Sequence, residues 1–154
     1  MVLREVTYLA VVLRLLTAVI IGGILGLERG MKNRPAGLRT YMLVCVGACV
    51  VMLTNQYMVQ VYGTGDPVRM GAQVVSGIGF LGAGTIIVTQ RNQIKGLTTA
   101  ATLWATACMG LAVGSGFLEC AVVMYLAIII ILLLINILDN KYLKVETSTS
   151  MYLE

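Results

Sequence analysis

Few residues in this 154-residue chain have the chemistry to do work, and most of those stand inside long apolar runs. Ionisable side chains at membrane depth are costly and mark function first. Arg14 is about one-third of the way into the first apolar run. Two placements are open to it. Its long stem lets the guanidinium snorkel to the outer surface. Alternatively it is held in a buried pair or polar pathway, with Gln73 or Ser76 as neighbours at similar depth. Glu28 closes the same run, at a helix C-terminus where the macrodipole disfavours negative charge. Arg29, Arg34 and Arg39 are the cations at hand. A bidentate Glu28–Arg39 clamp would tie the first two helices together; the alternative is a solvated pair worth little.

Metal and enzyme chemistry find less support. The acids Glu5, Glu28, Asp66, Glu119, Asp139, Glu146 and Glu154 are scattered, and no two lie close in sequence. Magnesium wants carboxylate oxygens, so no cation cage is legible. Histidine is absent. Cys45, Cys49, Cys108 and Cys120 lack the C-x-x-C pairs of a zinc site and read as small apolar residues. No nucleophile–base pair is visible, so no enzyme and no cofactor are expected. Gly77 to Gly82 spells GxGxxG, but the dinucleotide fingerprint needs a preceding strand and a later acid. Neither is present.

The elements that must position these residues follow from composition. The chain is 58% hydrophobic and only 12% charged, against about 25% charged in soluble domains, and its mean hydropathy is +0.90. A fold this short cannot hide that much apolar surface from water; a bilayer can take it. A membrane helix needs about 20 apolar residues. Five segments qualify, at about 7–27, 40–59, 67–88, 97–116 and 118–138. The expected fold is therefore all-α, a polytopic bundle of five transmembrane helices over residues 1–140, with a tail at 141–154. Asp66 and Pro67 suit the cap and first position of the third helix. Residues 114–117 make a tight turn between the last two. No cleavable signal peptide is expected, because the first run is too long for one.

Charge sets the orientation. Arg29, Lys32, Arg34, Arg39, Arg91, Lys95, Lys141 and Lys144 fall on one side, and Arg4 and Arg69 on the other. The positive-inside rule places the N-terminus out and the C-terminus in. The clusters sit between apolar runs, which argues against nucleic acid despite the net charge of +4.

Close packing in lipid relies on small residues. The first helix offers Gly22 and Gly26; the third offers Gly77, Gly79, Gly82, Ala83 and Gly84; the fourth places Thr98, Thr102, Thr106, Gly110 and Gly114 at four-residue spacing. The expectation is an interior of helices one, three and four, with the Ile- and Leu-rich fifth helix peripheral. The glycines serve packing, or they let backbone carbonyls face an ion as in broken transporter helices. Gly22 and Gly26 are also a candidate homodimer face.

The strings GLERGMKNRPAGLRT (26–40), RMGAQVVSGIGFLGAGTI (69–86) and GLTTAATLWATACMGLAVG (96–114) closely resemble the MgtC/SapB family of bacterial membrane proteins. The resemblance implies a five-helix protein of the bacterial inner membrane, linked to magnesium homeostasis, growth in low Mg²⁺ and, in some members, virulence. It implies regulation of another membrane complex, such as the F-type ATP synthase or a Mg²⁺ transporter. The alternative is a small-ion transporter or channel. Members carry Asn or Thr at the place of Thr98, so no role needing an amide is implied here. The chain is expected to lack the soluble cytoplasmic domain many members carry after the fifth helix. The ATPase label attached to some members has no counterpart, since no GxxxxGK[ST] loop is present.

Overall fold

A computed structural model describes residues 6–88 and 94–138. The terminal and loop charges Arg4, Glu5, Arg91, Asp139, Lys141 and Lys144, with the rest of the 141–154 tail, lie outside the described residues. The elements run α1 (Tyr8–Met31), α2 (Leu38–Tyr62), α3 (Arg69–Gly84), β1 (Ile87–Val88), β2 (Ile94–Lys95), α4 (Leu97–Gly114) and α5 (Leu118–Leu138). Helices α1, α2, α4 and α5 are long and apolar enough to cross a membrane.

Helix α3 departs from the expected span of 67–88. At about 1.5 Å per residue, its 16 residues cover roughly 24 Å, short of a hydrocarbon core of about 30 Å. It starts late because Asp66 caps the preceding turn and not the helix: its Oδ1 accepts from the Val68 amide at 3.0 Å, and Val68 is the N-cap. It ends early at Gly84, where the Thr85 hydroxyl donates back to the Gly82 carbonyl. The following run Ile86-Ile87-Val88 is β-branched and favours extended backbone. It forms the antiparallel hairpin Ile87↔Lys95, Val88↔Ile94, which the apolar pattern did not announce.

Helix α1 runs about one turn further than its apolar stretch predicts, through Glu28 and Arg29 to Met31. It stops in a Schellman turn: Arg34 N–H donates to the Arg29 carbonyl and Asn33 N–H to the Gly30 carbonyl, with Asn33 left-handed at φ 50°. Helix α4 ends the same way, Phe117 donating to Ala112 and Gly116 to Val113, with Gly116 at φ 80°. That turn makes the expected α4–α5 hairpin.

The small-residue stripes do pack tightly, but their partner is α2. A Cβ added to Gly22 would lie 2.9 Å from the Cys45 Cβ, and one on Gly26 would lie 2.7 Å from the Leu38 Cα. From the other side, one on Gly110 would collide with the Cys45 carbonyl, and one on Gly114 would lie 2.5 Å from the Cys49 carbonyl. Helix α2 is therefore gripped between α1 and α4, and the interior is α1–α2–α4 instead of the expected one, three and four. Cys45 and Cys49 are fully buried in those seams, where a larger side chain would hold the helices apart. Helix α3 leans on α4 through Gly82, whose added Cβ would meet Ala100 at 3.5 Å, while Gly77, Gly79 and Gly84 face nothing within 4 Å. Small residues permit close approach without naming the helix that approaches. Gly22 and Gly26 are occupied by α2 of the same chain, so a second copy would need another face. Helix α5 is peripheral as expected; only 11% of its most apolar window is buried.

Candidate functional site

Two polar groups occupy the α1–α2–α4 interior, one near each end. Their anchors Arg14 and Arg29 are fifteen positions apart on α1, roughly 22 Å along the helix.

The first group is built on Arg14, which has no exposed surface. It does not snorkel. Its Nη1 donates to Gln56 Oε1 on α2 and to the Gly114 carbonyl on α4, both at 2.7 Å. Gln56 Nε2 donates in turn to the Ser115 carbonyl at 3.1 Å. These carbonyls belong to the last turn of α4, which has no helical donors of its own and carries the negative end of the dipole. Arg14 thus caps α4 from a different helix. Gln73 and Ser76, the neighbours weighed from sequence, are exposed on α3 and take no part.

The second group joins Glu28, Arg29, Tyr41, Thr99 and Thr102. Arg29 is 3% exposed, and its Nη2 donates to Thr99 Oγ1 at 3.1 Å. Tyr41 is fully buried and its hydroxyl bonds Thr102 Oγ1. Thr102 points its own hydrogen at the Thr98 and Thr99 carbonyls, at 2.9 and 3.0 Å, so Tyr41 is the donor. Glu28 pairs with Lys32, one turn on, and among the described residues its Oε2 has no hydrogen-bond partner. The expected Glu28–Arg39 clamp does not form. Because α1 continues past Glu28, Lys32 lies within reach on the same helix face, whereas Arg39 is exposed at the start of α2.

Beside this group opens a cavity of about 580 Å³. Arg29 and Arg34 line it from α1 and its terminal turn; Lys95, Gly96, Thr98 and Thr99 line it from the hairpin and the first turn of α4. Gly96 makes this junction at φ 98°, and a Cβ there would run into the Thr85 carbonyl, so the hairpin can close onto α4 only through glycine.

Of the residues singled out from sequence, Arg14, Glu28, Arg29, Thr98 and Thr102 belong to these two regions. Asp66, Arg69, Gln73, Ser76, Gly77 and Gly79 are exposed and scattered, and Gly82 serves α3–α4 packing and the turn that ends α3. Sequence reasoning passed over Gln56, Tyr41 and Thr99. It also passed over Asn55, buried on α2, whose side chain donates to the Pro67 carbonyl and holds the connector to α3. The available signal was a polar residue at an interior helix position. Among the described residues no three Cys, Asp or Glu side chains gather into a metal cage.

A sequence model of the MgtC family matches residues 15–141. The chain belongs to the MgtC family. The match spans α2, α3, α4 and α5 and most of α1, and so covers the cavity and the whole second polar group. MgtC-family relatives agree. Protein MgtC of Brucella abortus is 46% identical over 106 residues, 69% of this chain and 43% of that protein. "Putative magnesium transporter YhiD" of Escherichia coli is 44% identical over 113 residues, 70% of this chain and 52% of that one. Protein SapB of Bacillus subtilis is 41% identical over 129 residues, 78% and 54%. The chain spans about half the length of the curated relatives it matches. No solved structure matches it.

Proposed function

We propose that this MgtC-family protein resides in the bacterial inner membrane, serves magnesium homeostasis and growth in low Mg²⁺, and acts by regulating another membrane complex instead of carrying an ion or catalysing a reaction. Membership of the family and the magnesium in the name of the Escherichia coli relative support the link to Mg²⁺. The orientation follows from charge: Lys32, Arg34, Arg39 and Lys95 gather at the Arg29 end, and Arg69 starts α3 at the other. The positive-inside rule puts the Arg29 end in the cytoplasm.

The observation that carries regulation over transport is Arg14. A divalent ion crossing the α1–α2–α4 interior would pass a buried guanidinium. At about 4 Å and an effective dielectric of about 20, two unit charges repel by about 4 kcal/mol and a divalent ion by about twice that. The seams are also closed backbone to backbone at Gly110 and Gly114, and the Thr102 and Thr106 hydroxyls are spent on carbonyls of their own helix.

The test is a reconstitution. Purified protein in liposomes is expected to give no Mg²⁺, K⁺ or H⁺ flux above empty vesicles. The same protein crosslinked in cells starved of Mg²⁺ is expected to recover a membrane complex. Protein-dependent Mg²⁺ flux would overturn the proposal.

A further inference from the structure

The cavity at the Arg29 end carries one sign of charge at the wrong end of a helix. Arg29, Arg34 and Lys95 line it, and among the described residues no acid does. Its floor is the N-terminus of α4, an 18-residue helix with no side-chain cap and no acid in its first turn. A helix N-terminus is the positive end of the dipole, with amide hydrogens that lack helical acceptors. Cations collected there repel the dipole and one another. Glu28, the nearby acid on α1, is engaged by Lys32 and is not part of the wall.

Arg29 adds a second, independent sign. It is 97% out of contact with solvent, and among the described residues its Nε hydrogen has no acceptor. Its Nη2 donates to Thr99. A buried donor on a charged group, left unmade, costs about 1–3 kcal/mol or more. An anion in the cavity would accept from it and remove the repulsion between the cations.

We propose that this cavity binds a phosphate group. Helix N-termini with basic side chains are natural phosphate sites, and a guanidinium matches phosphate geometry in its planar fork. Thr98 supplies a hydroxyl on the wall, and Lys95 is brought to the rim by the β1–β2 pairing and the Gly96 junction. A volume of about 580 Å³ takes more than one phosphate and fits a phosphate ester or a small polyphosphate. The site opens at the end of the bundle with the loop cations, where both a soluble phosphate compound and an anionic lipid headgroup can reach it. It stands independently of the partner proposed above.

The experiment uses the full chain in dodecyl maltoside micelles, which hold no phosphate. One arm titrates inorganic phosphate or pyrophosphate against chloride at equal ionic strength; the other adds phosphatidylglycerol. The readout is the unfolding temperature, with affinity from its concentration dependence. A saturable rise in the first arm assigns a soluble ligand, and one confined to the second assigns a headgroup. Either must weaken roughly tenfold or more in Arg34→Glu and Lys95→Glu, the size of one lost charge-assisted hydrogen bond. Both residues are exposed, so these variants should fold. Arg39→Glu makes the same charge change outside the wall and should bind normally. No rise in either arm, or equal weakening in Arg39→Glu, overturns the site.

Discussion

Arg14 on α1 and Gln56 on α2 meet Nη1 to Oε1 at 2.7 Å, and the same Nη1 reaches the Gly114 carbonyl at the end of α4. One side chain therefore ties the three interior helices together. Gln56→Leu takes an acceptor from a buried guanidinium and is expected to cost about 1.5–3 kcal/mol, the range for a hydrogen bond to a charged group. Arg14→Met should cost a similar amount by leaving the α4 carbonyls short of a donor. Because both changes break one network, the double variant should be no worse than the weaker single. Thermal unfolding in detergent measures all three; strict additivity would show that the two residues act separately.

The glycines divide into two classes. Gly110→Ala drives a methyl into the Cys45 carbonyl, so α4 must move off α2. Overpacking of this kind costs about 1–3 kcal/mol. Gly79→Ala meets nothing within 4 Å and should be neutral, or stabilising by up to about 1 kcal/mol, because alanine is the better helix former. Paired melting curves check the contrast, and similar losses in both would refute the assignment of α2 as the central helix.

Tyr41 and Thr102 join α2 to α4 near the basic cavity. Tyr41→Phe leaves the Thr102 oxygen without its outside donor and should cost about 1 kcal/mol. Thr102→Val removes the acceptor and should strand the buried phenol. A double-mutant cycle should return a coupling of at least about 0.5 kcal/mol. A coupling indistinguishable from zero would mean that the hydroxyls do not bond.

Glu28 depends on Lys32 and not on Arg39. Its side chain is one-fifth exposed and that of Lys32 one-third, so the pair lies within the modest range of i,i+4 ion pairs, about 0.3–0.5 kcal/mol. Lys32→Ala is expected to lower the unfolding temperature measurably, and Arg39→Ala to leave it unchanged. The reverse ranking would restore the interhelical clamp.

The extent of α5, the turn before it and the peripheral place of that helix were legible in the apolar run 118–138 and in Gly116. They depend on local residues alone. The limits of α1 and α3 were less so. Glu28 and Arg29 end the apolar run without ending the helix, because a helix stops at its capping turn, here at Asn33. Helix α3 stops at Gly84 because Thr85 and the β-branched residues after it turn the backbone out.

The candidate site was half legible. Arg14 and Glu28 stand out in any apolar sequence, because burying charge needs a reason. Their partners do not stand out. Gln56 depends on which helices touch and in what register, and Lys32 depends on α1 running past its apolar stretch.

By itself the sequence determined a membrane-embedded helical chain, its close-packing residues and, through three motif strings, its family. Those properties are carried by composition, local spacing and uninterrupted runs of residues. Only the tertiary structure decided that α2 is the helix gripped by the glycines, that Arg14 caps α4, and that Arg29, Arg34 and Lys95 share one cavity. A stripe of small residues fixes how near a neighbour can come, and a buried charge fixes that it needs a partner. Which neighbour and which partner are settled by the packing of helices whose touching residues lie 12 to 100 positions apart in the chain.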